Sequence, residues 1–179
     1  MAGEIQCPHS FSYVCIVTEL RTYCMLNSTG GILTAMLSCL KIFRKLKRRL
    51  NRSNDNTQNE VFLIGRDAHK SVFDGLNLAG TAAVLLPCTI DPIFQVSLGI
   101  QYEDIVKAIN MHDGNICALI LTRPSYQGVM SSSADLSKVV SLCHQHSIPV
   151  IIDEAHGSHL KFLNRKDYAG RIKIISNAV

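Results

Sequence analysis

The sequence predicts an α/β fold: a doubly wound, mostly parallel sheet flanked by helices. Short apolar runs recur at "EVFLIG" (60–65), "TAAVLLP" (81–87), "NICALILT" (115–122) and "IPVIID" (148–153). They lack polar alternation, as strands buried on both faces do. Helical patterns separate them at 68–80, 101–112 and 133–147, and strand–helix alternation of this kind builds a doubly wound sheet. With 179 residues, 47% apolar and 18% charged, the chain can bury one core of ordinary size.

Residues 1–21 read as a divergent N-terminal segment, and 22–179 as a partial major domain. "LNSTGGILTAMLSCLKIF" reads as a turn feeding a helix, with Ser28, Thr29 and Gly30 at its start. The basic run that follows can extend this helix, and "NRSNDNTQN" (51–59) reads as a polar loop. Together, residues of about 41–58 read as a basic, Asn-rich insertion with a solvated face. The strand at 60–65 leads into a helix at 68–80, closed by Gly80, a residue favoured just past a helix end. The strand at 81–87 is stopped by Pro87. In 101–112, Ile105, Ala108, Ile109 and His112 recur at spacings of three and four, which marks an amphipathic helix. Residues 115–122 form the next strand, 133–147 a helix with a serine cap candidate, and 148–153 the last strand. Functional residues of such sheets collect at the carboxyl ends of the strands, where Thr122, Asp153 and the turn before His69 fall.

The net charge of +4 belongs to one segment. Residues 41–52, "KIFRKLKRRLNR", hold seven of the 18 basic residues and no acid; the rest has 11 basic against 14 acidic residues, a net of −3. A basic nucleic-acid-binding fold is therefore not expected, nor is a membrane partner, since no apolar run reaches the length of a spanning helix. The N-terminus lacks the pattern of a secretory signal. Seven cysteines without a C-x-x-C pair read as reduced core residues of an intracellular, cytoplasmic protein.

The strand at 148–153 runs into Asp153-Glu154-Ala155-His156. The letters D-E-A-H also spell a Mg²⁺-binding box of ATPases, but that chemistry needs a phosphate loop containing Gly-Lys. No Gly-Lys pair occurs in the chain. A metal site of Asp153, His156 and His159, with His144 and His146 in reserve, meets Gly157 and a strand-ending context that oppose a regular helix. The other motifs support a third reading. "NSTGG" opens a helix, where free N–H groups, hydroxyls and the dipole can hold a phosphate. "RDAHKS" puts His69 at a strand tip, where an imidazole can stack on a flat ring. Asp153, in the same sheet, can pair with a protonated ring nitrogen. A phosphate nest, a stacking ring and such an aspartate are what pyridoxal phosphate requires. Each motif also has an ordinary use: Ser28-Thr29-Gly30 as a helix cap, His69 as a first-turn histidine, Asp153 as a buried acid satisfied by amides.

In order along the chain, "STGG", "AHKSVFDGLNLAG", "LPCTIDP", "LILTRPSYQGV" and "HSIPVIIDEAHGSH" resemble blocks of the Orn/Lys/Arg decarboxylase family, pyridoxal-phosphate enzymes of the aspartate-aminotransferase fold type. The resemblance implies that Ser28, Thr29 and Gly30 bind the cofactor phosphate. By the same resemblance His69 stacks on the pyridine ring, Asp153 pairs with its N1, His156 lies beside the ring, and Ser125 lies near it. His69, Asp153 and His156 are then the expected catalytic residues. The implied function is decarboxylation of ornithine, lysine or arginine by a homodimer. The family's cofactor lysine sits in a Ser-x-His-Lys block on the following strand, whereas this chain ends "RIKIISNAV". Lys70 belongs to the stacking block, and Lys161, Lys166 and Lys173 have no motif support. A truncated or divergent copy, active or inactive, is therefore expected; the alternative is a non-catalytic domain that binds a partner or dimerises.

Overall fold

Four parallel strands carry the domain: β3 (Val61–Gly65), β4 (Ala82–Leu86), β7 (Ile116–Thr122) and β8 (Val150–Glu154). The computed structural model describes residues 13–17, 22–26, 28–49, 60–130 and 133–157. Two further strands, β1 (Tyr13–Val17) and β2 (Thr22–Leu26), extend the sheet antiparallel, in the order β2-β1-β8-β7-β3-β4. The helices are α1 (Ser28–Arg49), α2 (Lys70–Ala79), α3 (Tyr102–Met111) and α4 (Ser133–Gln145), and a separate hairpin pairs β5 (Cys88–Ile90) with β6 (Ser97–Ile100).

Strand alternation sends successive side chains to opposite faces, and each face meets its own helices. Leu63, Leu119, Val150 and Ile152 pack with Ile105 and Ile109 of α3 and Val140 and Cys143 of α4. Phe62, Ile64, Ile120 and Ile151 pack with Ile32 and Met36 of α1 and Val72 of α2. Two covered faces thus account for the apolar runs of β3, β7 and β8, as expected. The run of β4 differs, because β4 lies at the edge of the sheet and is largely exposed or half-buried, with Leu85 45% exposed. A Cβ on Gly75 would stand 2.7 Å from Met36 Sδ, so α1 and α2 approach closely at a residue with no side chain. Helix α2 begins at His69 as its N-cap and ends at Gly80 in the left-handed conformation, φ 61°, where other residues lose roughly 1–2 kcal/mol.

Three features differ from the expected elements. The boundary at residue 21 falls inside the β1–β2 hairpin, so part of the N-terminal segment belongs to the central sheet. Five-residue apolar runs without a turn signature carry too little pattern to be read as strands. The β5–β6 hairpin was likewise not expected within 88–100. Finally, α1 continues to Arg49, so half of the segment read as an insertion is helix. Arg44 anchors it: its Nε lies 2.6 Å from the buried Glu60 carboxylate, and Lys47 Nζ donates to Asn115 Oδ1 at 3.3 Å. Residues 50–59 lie outside the described set.

Cys39, Cys117 and Cys143 are free and buried, as read from the sequence. Burial pushes the Cys39 thiol up to about 11 and those of Cys117 and Cys143 to about 12. Thiols that hold their protons this firmly are poor nucleophiles.

Candidate functional site

Strand β8 is apolar through Val150, Ile151 and Ile152, then presents Asp153, only 3% exposed. Alternation puts the Asp153 side chain on the face of Ile151, the one that α1 and α2 cover. Its Oδ1 accepts the Ala155 N–H at 3.0 Å. Burial pushes the carboxyl above its usual range, against the Ala155 N–H and the nearby His69 and His156, which pull it back. A carboxylate desolvated this way gains most from a cation beside it.

His69 reaches the same end of the sheet from β3. The strand stops at Gly65, a turn follows, and His69 starts α2 with extended backbone (φ −64°, ψ 151°). Its Nδ1 accepts the Ser71 N–H at 3.2 Å and stands 2.9 Å from Ser71 Oγ. With Nδ1 an acceptor, the proton of the neutral ring sits on Nε2. The ring is therefore oriented by a helix cap.

His156 lies in the turn after β8. The Tyr126 ring meets it edge-on, with centroids 5.3 Å apart and planes at 87°. Tyr126 comes from the loop after β7, which Ser125 holds in shape: its N–H donates to Val129 O at 2.8 Å and its Oγ accepts the Val129 N–H at 3.2 Å. On the other face, Arg123 Nη1 stands 3.8 Å from Glu154 Oε1, both side chains nearly buried. The Arg123 N–H donates to Asp153 O at 2.9 Å, tying the strand ends together.

The register of β1 and β2 locates the start of α1. Tyr13 pairs with both Leu26 and Glu154, so β2 ends at the carboxyl end of β8. Helix α1 begins two residues later at Ser28, with Thr29 and Gly30 exposed in its first turn. Strand β2 lies two strand spacings, roughly 10 Å, along the sheet from β8, so α1 starts near the carboxyl end of the sheet. Of Ser28 only the backbone is described.

Asp153, His69 and His156 thus lie together, with Ser125 linked to them through Tyr126 and the Ser28–Gly30 turn along the same rim. His144 and His146 do not join them. They end α4, which leads into the start of β8, and His146 Nδ1 is 3.7 Å from Asp113 at the opposite end. Among the described residues no group of three His, Cys, Asp or Glu has the arrangement of a metal site; His159 lies outside them. Lys70 Nζ is turned to Asp74 at 2.6 Å along the exposed side of α2. Lys161, Lys166, Lys173 and the "SNAV" ending lie outside the described residues. Sequence reasoning missed Tyr126, Ser71 and Arg123. Tyr126 had a signal, an aromatic next to Ser125 in "RPSYQG", and Arg123 had another, a charge directly after an apolar strand.

Comparison with known proteins supports the same architecture. Residues 52–176 match the profile of the Orn/Lys/Arg decarboxylase major domain. The chain belongs to this family. Its members are pyridoxal-phosphate enzymes. An arginine decarboxylase of Halalkalibacterium halodurans is 36% identical over 103 residues, which are 58% of this chain and 20% of that protein. One from Bacillus cereus is also 36% identical over 103 residues, 58% of this chain and 22% of the relative. The match spans about a fifth of each relative. Among solved structures, the sphingosine-1-phosphate lyase of Burkholderia pseudomallei superposes with a TM-score of 0.54 at 18% identity, covering 88% of this chain and 31% of that one. The likeness is one of fold.

Proposed function

We propose that this domain is the cofactor-binding part of a pyridoxal-phosphate-dependent decarboxylase of basic amino acids. One observation carries the reading: a buried strand-end carboxylate, Asp153, stands within electrostatic reach of two imidazoles on the face where α1 and α2 begin. The residues present suit the non-covalent part of the cofactor. Asp153 would pair with the protonated pyridine nitrogen, whose positive charge offsets the desolvation that pushes the carboxyl up. His69, oriented by the Ser71 amide, would lie on the ring. The first-turn amides and hydroxyls of Ser28, Thr29 and Gly30 would take the phosphate. His156 and Ser125 would border the ring, with Tyr126 holding His156 at its rim. When bound, the cofactor supplies an electron sink for the pair left on the substrate as CO₂ departs. Asp153 would hold a proton on the ring nitrogen, so its loss would cost rate more than substrate affinity.

We assign no lysine of this chain to the covalent role. Binding is tested by titrating the protein with pyridoxal phosphate, following absorbance, then reducing with borohydride and mapping adducts by mass spectrometry. Saturable binding that weakens at least about tenfold in Asp153→Ala is expected, without an adduct on Lys70. Binding unaffected by that substitution overturns the assignment. The arginine decarboxylases among the relatives make arginine the first substrate to assay.

A second reading, a partner-binding or dimerising domain, is supported by the β5–β6 hairpin, where Ile93 is 80% and Phe94 76% exposed. Apolar residues clustered in this way favour an interface, and a homodimer is the partner we propose. Sedimentation velocity of the protein and of Ile93→Ser/Phe94→Ser separates the two states.

A further inference from the structure

The last two turns of α1 carry a surface that the cofactor site does not use. Its buried stripe is Ile32, Ala35, Met36, Cys39 and Leu40. Past Leu40 the exposed residues are a mixture: Ile42 at 58% and Leu46 at 52%, with Lys41, Lys45, Arg48 and Arg49. Ile42 and Leu46, four apart, form one ridge of the helix, and at 100° per residue Lys45 and Arg49 line its flank. No acidic residue occurs in α1. Arg44 pairs with Glu60 and Lys47 donates to Asn115, whereas Lys41, Lys45 and Arg49 have no carboxylate partner among the described residues.

Solvation accounts for the cations but not for two bare aliphatic side chains beside them, at the edge of the buried stripe. Phosphate backbones of nucleic acids take up Lys and Arg and have no use for an aliphatic ridge. An anionic lipid surface takes both: headgroups meet the cations, and the ridge enters the acyl boundary. Among the described residues no helix is long and apolar enough to cross a membrane. We propose that the Ile42–Leu46 ridge and the cations Lys41, Lys45 and Arg49 along one side of it dock this protein on an anionic membrane. The docking face lies at the end of α1 opposite to Ser28, so the cofactor rim stays open to solvent.

Co-sedimentation of the full chain with phosphatidylcholine vesicles, with and without phosphatidylserine, tests this. Binding is expected only with phosphatidylserine. Lys45→Gln and Arg49→Gln should each lower the partition about fivefold, and Ile42→Ser/Leu46→Ser about tenfold. Far-UV circular dichroism checks that each variant keeps its helices. The chain has no tryptophan, so Leu46→Trp gives a single emission, expected to shift to the blue on anionic vesicles. Equal binding to neutral vesicles, an unshifted emission, or full binding by Ile42→Ser/Leu46→Ser overturns the proposal. So does tighter binding to a duplex DNA of equal charge at the same ionic strength.

Discussion

Glu60 at the amino end of the central sheet and Asp153 at its carboxyl end are both buried carboxylates, and their surroundings differ. At the amino end, Glu60 is met by Arg44 of α1 at 2.6 Å. Beside it, Asn115 accepts from Lys47 through its side chain and from Val61 through its carbonyl. At the carboxyl end, Asp153 is equally buried, yet its neighbours are an amide and two imidazoles that only partly offset the burial. A buried acid matched by a full cation belongs to the architecture. One left short of a cation is where an incoming positive group binds best.

Three substitutions sharpen or break this contrast. The largest effect is expected at the amino end. Arg44→Ala leaves the Glu60 charge buried without its partner and should lower stability by about 2 kcal/mol. That is less than a fully buried pair loses, because Arg44 is about a third exposed. Urea unfolding measures it, and an unchanged midpoint would mean that Glu60 is satisfied without Arg44.

The opposite sign is expected for Asp153→Asn, which should raise the stability of the cofactor-free protein by about 1 kcal/mol near neutral pH. Burial lifts the folded-state carboxyl above its ordinary 3.8, so the folded form binds the proton more tightly than the unfolded one. Wild-type stability is therefore greatest below that ordinary value and falls as pH rises towards the raised value. The advantage of Asp153→Asn should open across the same window and vanish in acid. Melting curves from pH 3 to 8 would refute the contrast if the two proteins tracked each other throughout.

The smallest effect concerns the rim. Tyr126 is 77% exposed, so Tyr126→Leu should change stability by less than about 0.5 kcal/mol. It should still move the His156 ring-proton resonances, because the edge contact at 5.3 Å is lost. Unmoved resonances would mean that the rim histidine is held by something else.

Much of this was legible beforehand, for reasons visible in particular residues. The runs at β3, β7 and β8 show no polar alternation before their carboxyl ends, as strands of a sheet covered on both faces do. The spacing of Ile105, Ala108 and Ile109 defined α3, and all three are buried. Gly80 closed α2 where its left-handed backbone required it. For the site, Asp153 stood out as an acid ending an apolar strand, and His69 as a ring at a strand tip. The β1–β2 hairpin was not legible, because its strands are short and their pairing to β8 depends on a partner over a hundred residues away.

By itself the sequence determined the order of the four parallel strands and of the helices between them, the two-faced core and the family, since these follow from local periodicity and short motifs. Tertiary structure alone decided which residues meet. Leu26 ends β2 level with Glu154, and that register brings the start of α1 to the rim that holds Asp153. The pairing of Arg44 with Glu60 and of Tyr126 with His156 was decided in the same way. Such contacts depend on register and helix crossing, which are set by how whole surfaces pack and not by any window of neighbouring residues.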